Sequence, residues 1–179
     1  MGTKNEHRLC DAEGLAALIA SLTAQIADET EPGARLGVVG IHSRGAPLAE
    51  RLAQGLSERL GRGVPVGSLD ITLYRDDLDQ APRWPVLKDT NIPFSVEGRE
   101  IILVDDVLFT GRTIRAALNA ICDLGRPARI RLAVAVDREH RELPIAADFV
   151  GLAVRTTREQ HVLVRIHPID PVEEIVRLD

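Results

Sequence analysis

The sequence predicts an α/β domain built on a central, mostly parallel sheet with helices on both faces. Three observations carry this. Short apolar runs recur at residues 36–41, 100–104 and 130–136, as strands covered on both faces require. Between them lie segments with apolar residues at helical spacing. Strand-like and helix-like segments alternate along the chain. A length of 179 residues suits one domain with a sizeable core and is short for two. Residues 1–179 are therefore read as a single domain, and no internal linker or repeat interrupts them.

The elements follow in order. Residues 11–28 form an amphipathic helix, because Leu15, Leu18, Ile19, Leu22 and Ile26 share one face and Asp11 can cap it. Glu31-Pro32-Gly33 ends that helix. Residues 36–41 are a buried strand, and His42-Ser43-Arg44-Gly45 is a polar turn into a helix over 46–60. Pro47 is tolerated there because it falls in the first turn. Residues 64–73 read as a longer strand, and 74–94, rich in charges and prolines, as a long surface loop. Residues 100–104 form the next strand and 114–124 a helix closed by Gly125 and Pro127. Strands are expected at 130–136, 149–154 and 162–166.

Composition narrows the function classes. Aromatics make up 3% of the chain, so the core rests on Ala, Val, Leu and Ile. The formal net charge of −5 argues against a dedicated non-specific nucleic-acid binder, though a local basic patch stays open. Cys10 and Cys122 make no disulfide framework and read as free thiols in a reducing compartment. No apolar run of about 18 residues calls for a membrane span, and the first residues hold no signal-type apolar region. A cytoplasmic protein is expected.

The strongest chemical signal is Val104-Asp105-Asp106-Val107-Leu108-Phe109-Thr110-Gly111-Arg112-Thr113. A buried strand delivers two acids, then a turn enters a helix. Ligands of open α/β sheets sit beyond the carboxyl ends of the strands, which puts Asp105 and Asp106 on the rim. The helix N-terminus offers free N–H groups and the positive dipole end, both suited to phosphate. Thr110 and Thr113 add hydroxyls, and Gly111 admits close approach. Two acids repel phosphate, so they suit ribose hydroxyls or a bridging Mg²⁺. Taken alone, two acids before a helix can also be plain capping chemistry. No P-loop or dinucleotide glycine pattern competes with this reading. His42, His140, His161 and His167 lack zinc spacing.

The ten-residue string resembles the phosphoribosyl-diphosphate-binding signature of type I phosphoribosyltransferases. Two further strings, Asp70-Ile71-Thr72-Leu73-Tyr74-Arg75-Asp76-Asp77-Leu78 and Asp137-Arg138-Glu139-His140-Arg141-Glu142-Leu143-Pro144-Ile145, are similar to the pyrimidine operon regulators with uracil phosphoribosyltransferase activity. The resemblance implies the type I fold, with a small C-terminal hood over about 137–170. It implies uracil plus phosphoribosyl diphosphate giving UMP and diphosphate, with Mg²⁺ held mainly through the diphosphate and no dedicated protein metal site. Asp105 and Asp106 would meet the ribose hydroxyls, within the binding segment of Val104, Val107, Leu108 and Phe109. Thr110, Gly111, Arg112 and Thr113 would cradle the 5′-phosphate. Ser43, Arg44 and Gly45 would form the diphosphate loop, where such enzymes often hold a non-proline cis peptide. Arg75 would lie in the loop that closes over the diphosphate. Asp137, Arg138 and the Val162 region would line the uracil pocket. Arg44, Arg75, Asp105 and Asp106 would carry catalysis.

The same family includes UMP-sensing regulators that bind the leader of pyrimidine mRNA, so the alternative is an RNA-binding attenuation regulator with little catalytic role. RNA binding needs a basic, hydrogen-bonding surface. Residues 11–28 contain no Lys, Arg or His, and Ala146 and Leu152 stand where such relatives carry Arg and Lys. Arg138, Arg141, Arg155 and Arg158 leave a modest patch. Weak or absent attenuator binding is therefore expected. A binding protein without turnover is a third reading. The resemblance also implies a homodimer or tetramer.

Overall fold

The computed structural model describes residues 5–74 and 90–179. The elements run β1 (Glu6–Cys10), α1 (Ala12–Asp28), β2 (Leu36–Ile41), α2 (Gly45–Leu60), β3 (Val66–Leu69), a 3₁₀ turn (Thr72–Tyr74), β4 (Glu100–Leu108), α3 (Arg112–Asp123), β5 (Arg129–Asp137), β6 (Phe149–Ala153), β7 (His161–Arg165) and β8 (Glu174–Leu178). Strands β3-β2-β4-β5-β6 form one parallel sheet, as expected. Among the described residues no helix is long and apolar enough to cross a membrane.

Both faces of the large sheet are buried. On one, Ile102 and Val104 of β4 pack with Leu15, Leu22, Leu48 and Leu52 of α1 and α2. On the other, Ile101 and Leu103 pack with Ile114, Ala117 and Ile121 of α3. This is why β4 reads as a continuous apolar run rather than an alternating one. Asp11 caps α1, accepting from the Gly14 N–H at 2.9 Å.

The strand order places the site. From β2 the chain crosses over α2 to β3 on one side. From β4 it crosses over α3 to β5 on the other. β2 and β4 are neighbours, with Gly40 opposite Val104. The connections diverge here, and a crevice opens beyond the carboxyl ends of β2 and β4.

Three departures from the sequence reading have local causes. The strand expected over 64–73 stops at Leu69, because the Asp70 carboxylate accepts from the Thr72 N–H at 2.8 Å and from its hydroxyl, turning the chain. β4 continues past 104 through both acids to Leu108, because β5 pairs with it as far as Asp137. The small sheet has order β1-β8-β7 and takes in both termini, so it reaches outside 137–170, while β6 belongs to the large sheet. The sequence hides β1 because its order comes from charge partners across the sheet. Arg8 donates to Glu174 at 2.9 Å, and Arg165 donates to Glu6 at 2.7 and 2.8 Å.

Candidate active site

Three loops meet at the crevice. The first follows β2. The His42–Ser43 peptide is cis, and Arg44 starts α2. A Cβ on Gly45 would lie 2.6 Å from the Val104 carbonyl oxygen, and a Cβ on Gly40 would lie 2.3 Å from the Gly45 carbonyl oxygen. Glycine at both positions lets the Ser43-Arg44-Gly45 turn lie directly on the end of β4. The turn is thereby held beside the acids.

The second loop is the end of β4 with its exit. Asp105 is 6% exposed and Asp106 half-buried. Each carboxylate turns back on the local backbone. Asp105 accepts from the Asp106 N–H at 3.0 Å, and Asp106 accepts from the Val107 N–H at 2.9 Å. Burial pushes the Asp105 carboxyl well above its ordinary range, and the neighbouring Asp106 adds to the rise. Burial raises Asp106 as well, opposed by its hydrogen bonds and by Arg44 nearby. Two adjacent acids raised in this way favour a ligand that donates hydrogen bonds or brings positive charge.

The exit is organised to present N–H groups. Gly111 is the N-cap of α3 in the left-handed conformation, φ 91°, with no side-chain cap. The carbonyls before it are tied back by the 137–145 string. Arg138 N–H donates to Leu108 at 3.1 Å, Arg141 Nη1 to Phe109 at 2.7 Å, and the Glu142 and Leu143 N–H groups to Thr110 at 3.0 and 3.2 Å. Of the first-turn N–H groups of α3, that of Arg112 donates to the Thr110 hydroxyl at 3.4 Å, and a helix N-terminus entered through a left-handed glycine suits an anion. Arg112 and Thr113 are exposed there, and Arg112 is ion-paired to Glu142 at 2.8 Å.

The third loop follows β5. The Asp137 carboxylate accepts from the Glu139 N–H at 2.8 Å and pairs with Arg141. Arg138 is 4% exposed. It donates to the Thr156 hydroxyl and the Thr157 carbonyl, and its guanidinium lies 4.0 Å over the Phe109 ring. His140 meets the same ring edge-on at 5.9 Å. Glu139 and His140 both hold positive φ, a strained arrangement outside glycine that these contacts fix.

Ser43, Arg44 and Gly45 thus follow β2, Asp105, Asp106, Thr110, Gly111, Arg112 and Thr113 lie at and beyond the end of β4, and Asp137 and Arg138 at the end of β5, all at the carboxyl end of the sheet. Val104 and Leu108 are core residues that anchor it, and Val107 is partly buried against the core. Val162 is also core, packed on the α1 side. Arg75 lies outside the described residues. Among the described residues no group of three or more His, Cys, Asp or Glu is arranged to hold a metal. Sequence reading missed the Phe109-Arg138-His140 stack and the partner of Arg44, which is Asp170. That carboxylate accepts from Arg44 Nε at 2.9 Å and Nη2 at 2.8 Å. No sequence signal links positions so far apart.

Comparison with known proteins agrees with this architecture. The phosphoribosyl transferase domain model matches residues 7–167. A bifunctional protein PyrR of Pelotomaculum thermopropionicum is 49% identical, over 98% of this chain and 97% of its own length. One from Chloroflexus aurantiacus is 51% identical over 97% and 96%. Among solved structures, a hypoxanthine phosphoribosyltransferase of Trypanosoma cruzi is similar with a TM-score of 0.73 at 18% identity, covering 100% of this chain and 94% of its own. One from Staphylococcus aureus gives 0.70 at 18%, covering 97% and 92%. These identities speak for the fold alone. By model and by relatives together, the chain belongs to the phosphoribosyl transferase domain family and, within it, to the family of the bifunctional protein PyrR.

Proposed function

We propose that the chain is a uracil phosphoribosyltransferase, which converts uracil and phosphoribosyl diphosphate to UMP and diphosphate. The observation that carries this is the placing of Asp105 and Asp106 on the strand end that leads into the α3 N-terminus and lies against the Ser43-Arg44-Gly45 turn. Acceptors for a ribose, donors for its 5′-phosphate and a cation for its diphosphate then sit around one crevice.

The chemistry follows from charge. A uracil nitrogen attacks ribose C1, the bond from C1 to the diphosphate oxygen breaks, and the nitrogen loses its proton. Positive charge builds on the sugar ring and negative charge on the leaving group. Asp105 and Asp106 hold the ribose hydroxyls and face the developing positive charge. Arg44 faces the leaving group, and Arg75, expected to join it, lies outside the described residues. Closure over the diphosphate would exclude water, which otherwise hydrolyses the activated sugar. Mg²⁺ fits here through the diphosphate, since such ions commonly take one or two carboxylates plus substrate phosphates rather than a protein cage. The Phe109 ring backed by Arg138 gives the base a flat wall. Asp137 and Arg138 act by shaping that wall, because both Asp137 carboxylate oxygens and Arg138 Nε and Nη2 are already engaged.

Uracil, hypoxanthine, guanine and orotate offered side by side, with UMP formation read by chromatography, test the assignment. Uracil should be the substrate converted. Preference for hypoxanthine or guanine would overturn it. Gly45→Ala gives a second check. Its methyl would press on the Val104 carbonyl oxygen, so the turn must lift from β4. The KM for phosphoribosyl diphosphate should rise roughly tenfold or more, as expected from misplacing a binding group by about 1 Å. An unchanged KM would show that this contact does not set the loop.

The relatives' designation as bifunctional gives the regulatory reading its weight. RNA binding by this chain should nevertheless be weak. The exposed positions of α1 are Ala12, Glu13, Ala16, Ala17, Ala20, Ser21, Gln25 and Asp28, without a cation. Of the four arginines that the sequence offers, Arg138 is buried and Arg141 is tied into the loop. Arg155 and Arg158 are left exposed, and two phosphate contacts give little counterion release. A gel shift with the pyrimidine leader RNA at near-physiological salt should show no tight complex. Tight, UMP-enhanced binding would sink this expectation. A cytoplasmic setting and a homo-oligomer, dimer or tetramer, accompany the proposal.

A further inference from the structure

We infer that Asp170 is a positioning residue for phosphoribosyl diphosphate: from the small sheet it fixes the Arg44 guanidinium over the diphosphate turn. The inference rests on the reading of Arg44 given above. It comes from how the β7–β8 connection meets α2.

That connection is built around two carboxylates. Asp170 accepts from the Ile166 N–H at 3.1 Å, and Glu173 accepts from the His167 N–H at 3.3 Å. Each then reaches an arginine of α2. Asp170 takes Arg44 in two-point fashion, and Glu173 pairs with Arg51. The two pairs are alike in chemistry and burial. Asp170 is 14% exposed and Glu173 16%, with their arginines 31% and 34% exposed. They differ in position. Arg51 lies about two helical turns into α2, whereas Arg44 begins the helix beside Gly45, against the end of β4.

A long arginine at a crevice rim has many rotamers, and ordering it on ligand binding costs affinity. Asp170 engages Nε and Nη2, one edge of the fork, so Nη1 stays outside the pair. The Arg44 side chain is thereby ordered before the ligand arrives. Nearby Asp106 experiences its charge, which places the guanidinium within the field of the acids.

The neighbouring pair supplies the control. Asp170→Asn should raise the KM for phosphoribosyl diphosphate on the order of tenfold, the loss of one well-placed charged contact. The KM for uracil should change little. Glu173→Gln removes an equivalent pair from the same connection and should leave the KM for phosphoribosyl diphosphate unchanged. In an Arg44→Ala background, Asp170→Asn should add no further increase. Asp170→Glu should recover part of the loss. If Glu173→Gln raises the KM as much as Asp170→Asn, the effect is structural and the inference fails. It fails also if Asp170→Asn remains costly without Arg44. If Arg44→Ala itself leaves the KM unchanged, the assignment of Arg44 falls, and this inference with it. If Arg44→Ala raises the KM and Asp170→Asn does not, only Asp170 is misassigned.

Discussion

Asp105→Asn combined with Asp106→Asn should abolish UMP formation and, in the ligand-free protein, raise thermal stability. Each carboxylate that accepts from a ribose hydroxyl contributes about 1.5–3 kcal/mol, as hydrogen bonds to charged groups do. Two lost together correspond to roughly 10²–10⁴ in rate at subsaturating substrate. The stability change has the opposite sign for the same reason that the site works. Burial raises both carboxyls above 3.8, their ordinary value. A carboxyl raised in the folded state binds protons more tightly there than in the unfolded chain. Stability is then fully present below 3.8 and falls as pH rises through the raised value. Asparagine keeps the shape and removes the ionisation. Melting temperature should therefore exceed that of the parent at pH 7, and the difference should shrink towards pH 4. Calorimetry across that range, with turnover measured in parallel, checks both halves. Retained turnover would refute the assigned role, and a lower melting temperature at pH 7 would refute the electrostatic account.

The same pair shows what sequence could and could not convey. Asp105 and Asp106 at the end of an apolar run, before Thr110-Gly111-Arg112-Thr113, were legible as a phosphate and sugar site, because strand, acid pair and turn are local in the chain. The parallel sheet was legible because β2, β4 and β5 are buried on both faces and their composition records it. The reversal of connection direction between β2 and β4 was not, since strand order is a long-range property. Strands β1 and β8 of the small sheet leave no apolar pattern because Glu6, Arg8, Glu174 and Arg165 satisfy one another across the sheet. Their polarity looks like a loop until the partners are brought together. Asp170 was silent for the same reason. The over-long strand at 64–73 failed to allow for Asp70, whose carboxylate captures the Thr72 N–H and ends the pairing.

The second large effect lies at the other end of β4 and concerns stability alone. Glu100→Ala should cost about 3–5 kcal/mol, the usual price of stripping one partner from a buried ion pair. Arg131 is 1% exposed, the bulkiest fully buried side chain described here. Its Nε pairs with Glu100, its Nη1 reaches Glu29 at 3.1 Å, and its plane covers the Phe149 ring at 4.8 Å. Glu29 is 63% exposed, so solvent screens that contact, and neither Nη2 nor Nε makes a hydrogen bond among the described residues, so Glu100 meets Nε as a close ionic contact. Glu100 is thus the principal compensation for a charge in the core. Glu100 and Asp105 lie on one strand five residues apart, about 17 Å at 3.3 Å per residue. Specific activity of the folded variant should therefore match that of the parent, while its melting temperature drops by about 6–20 °C. Glu100→Leu with Arg131→Met should recover most of the loss, because an apolar pair of similar bulk needs no charge compensation. Urea denaturation of the single and double variants decides the matter. A double variant as unstable as Glu100→Ala would mean that packing against Phe149, rather than the buried charge, governs this end of the sheet.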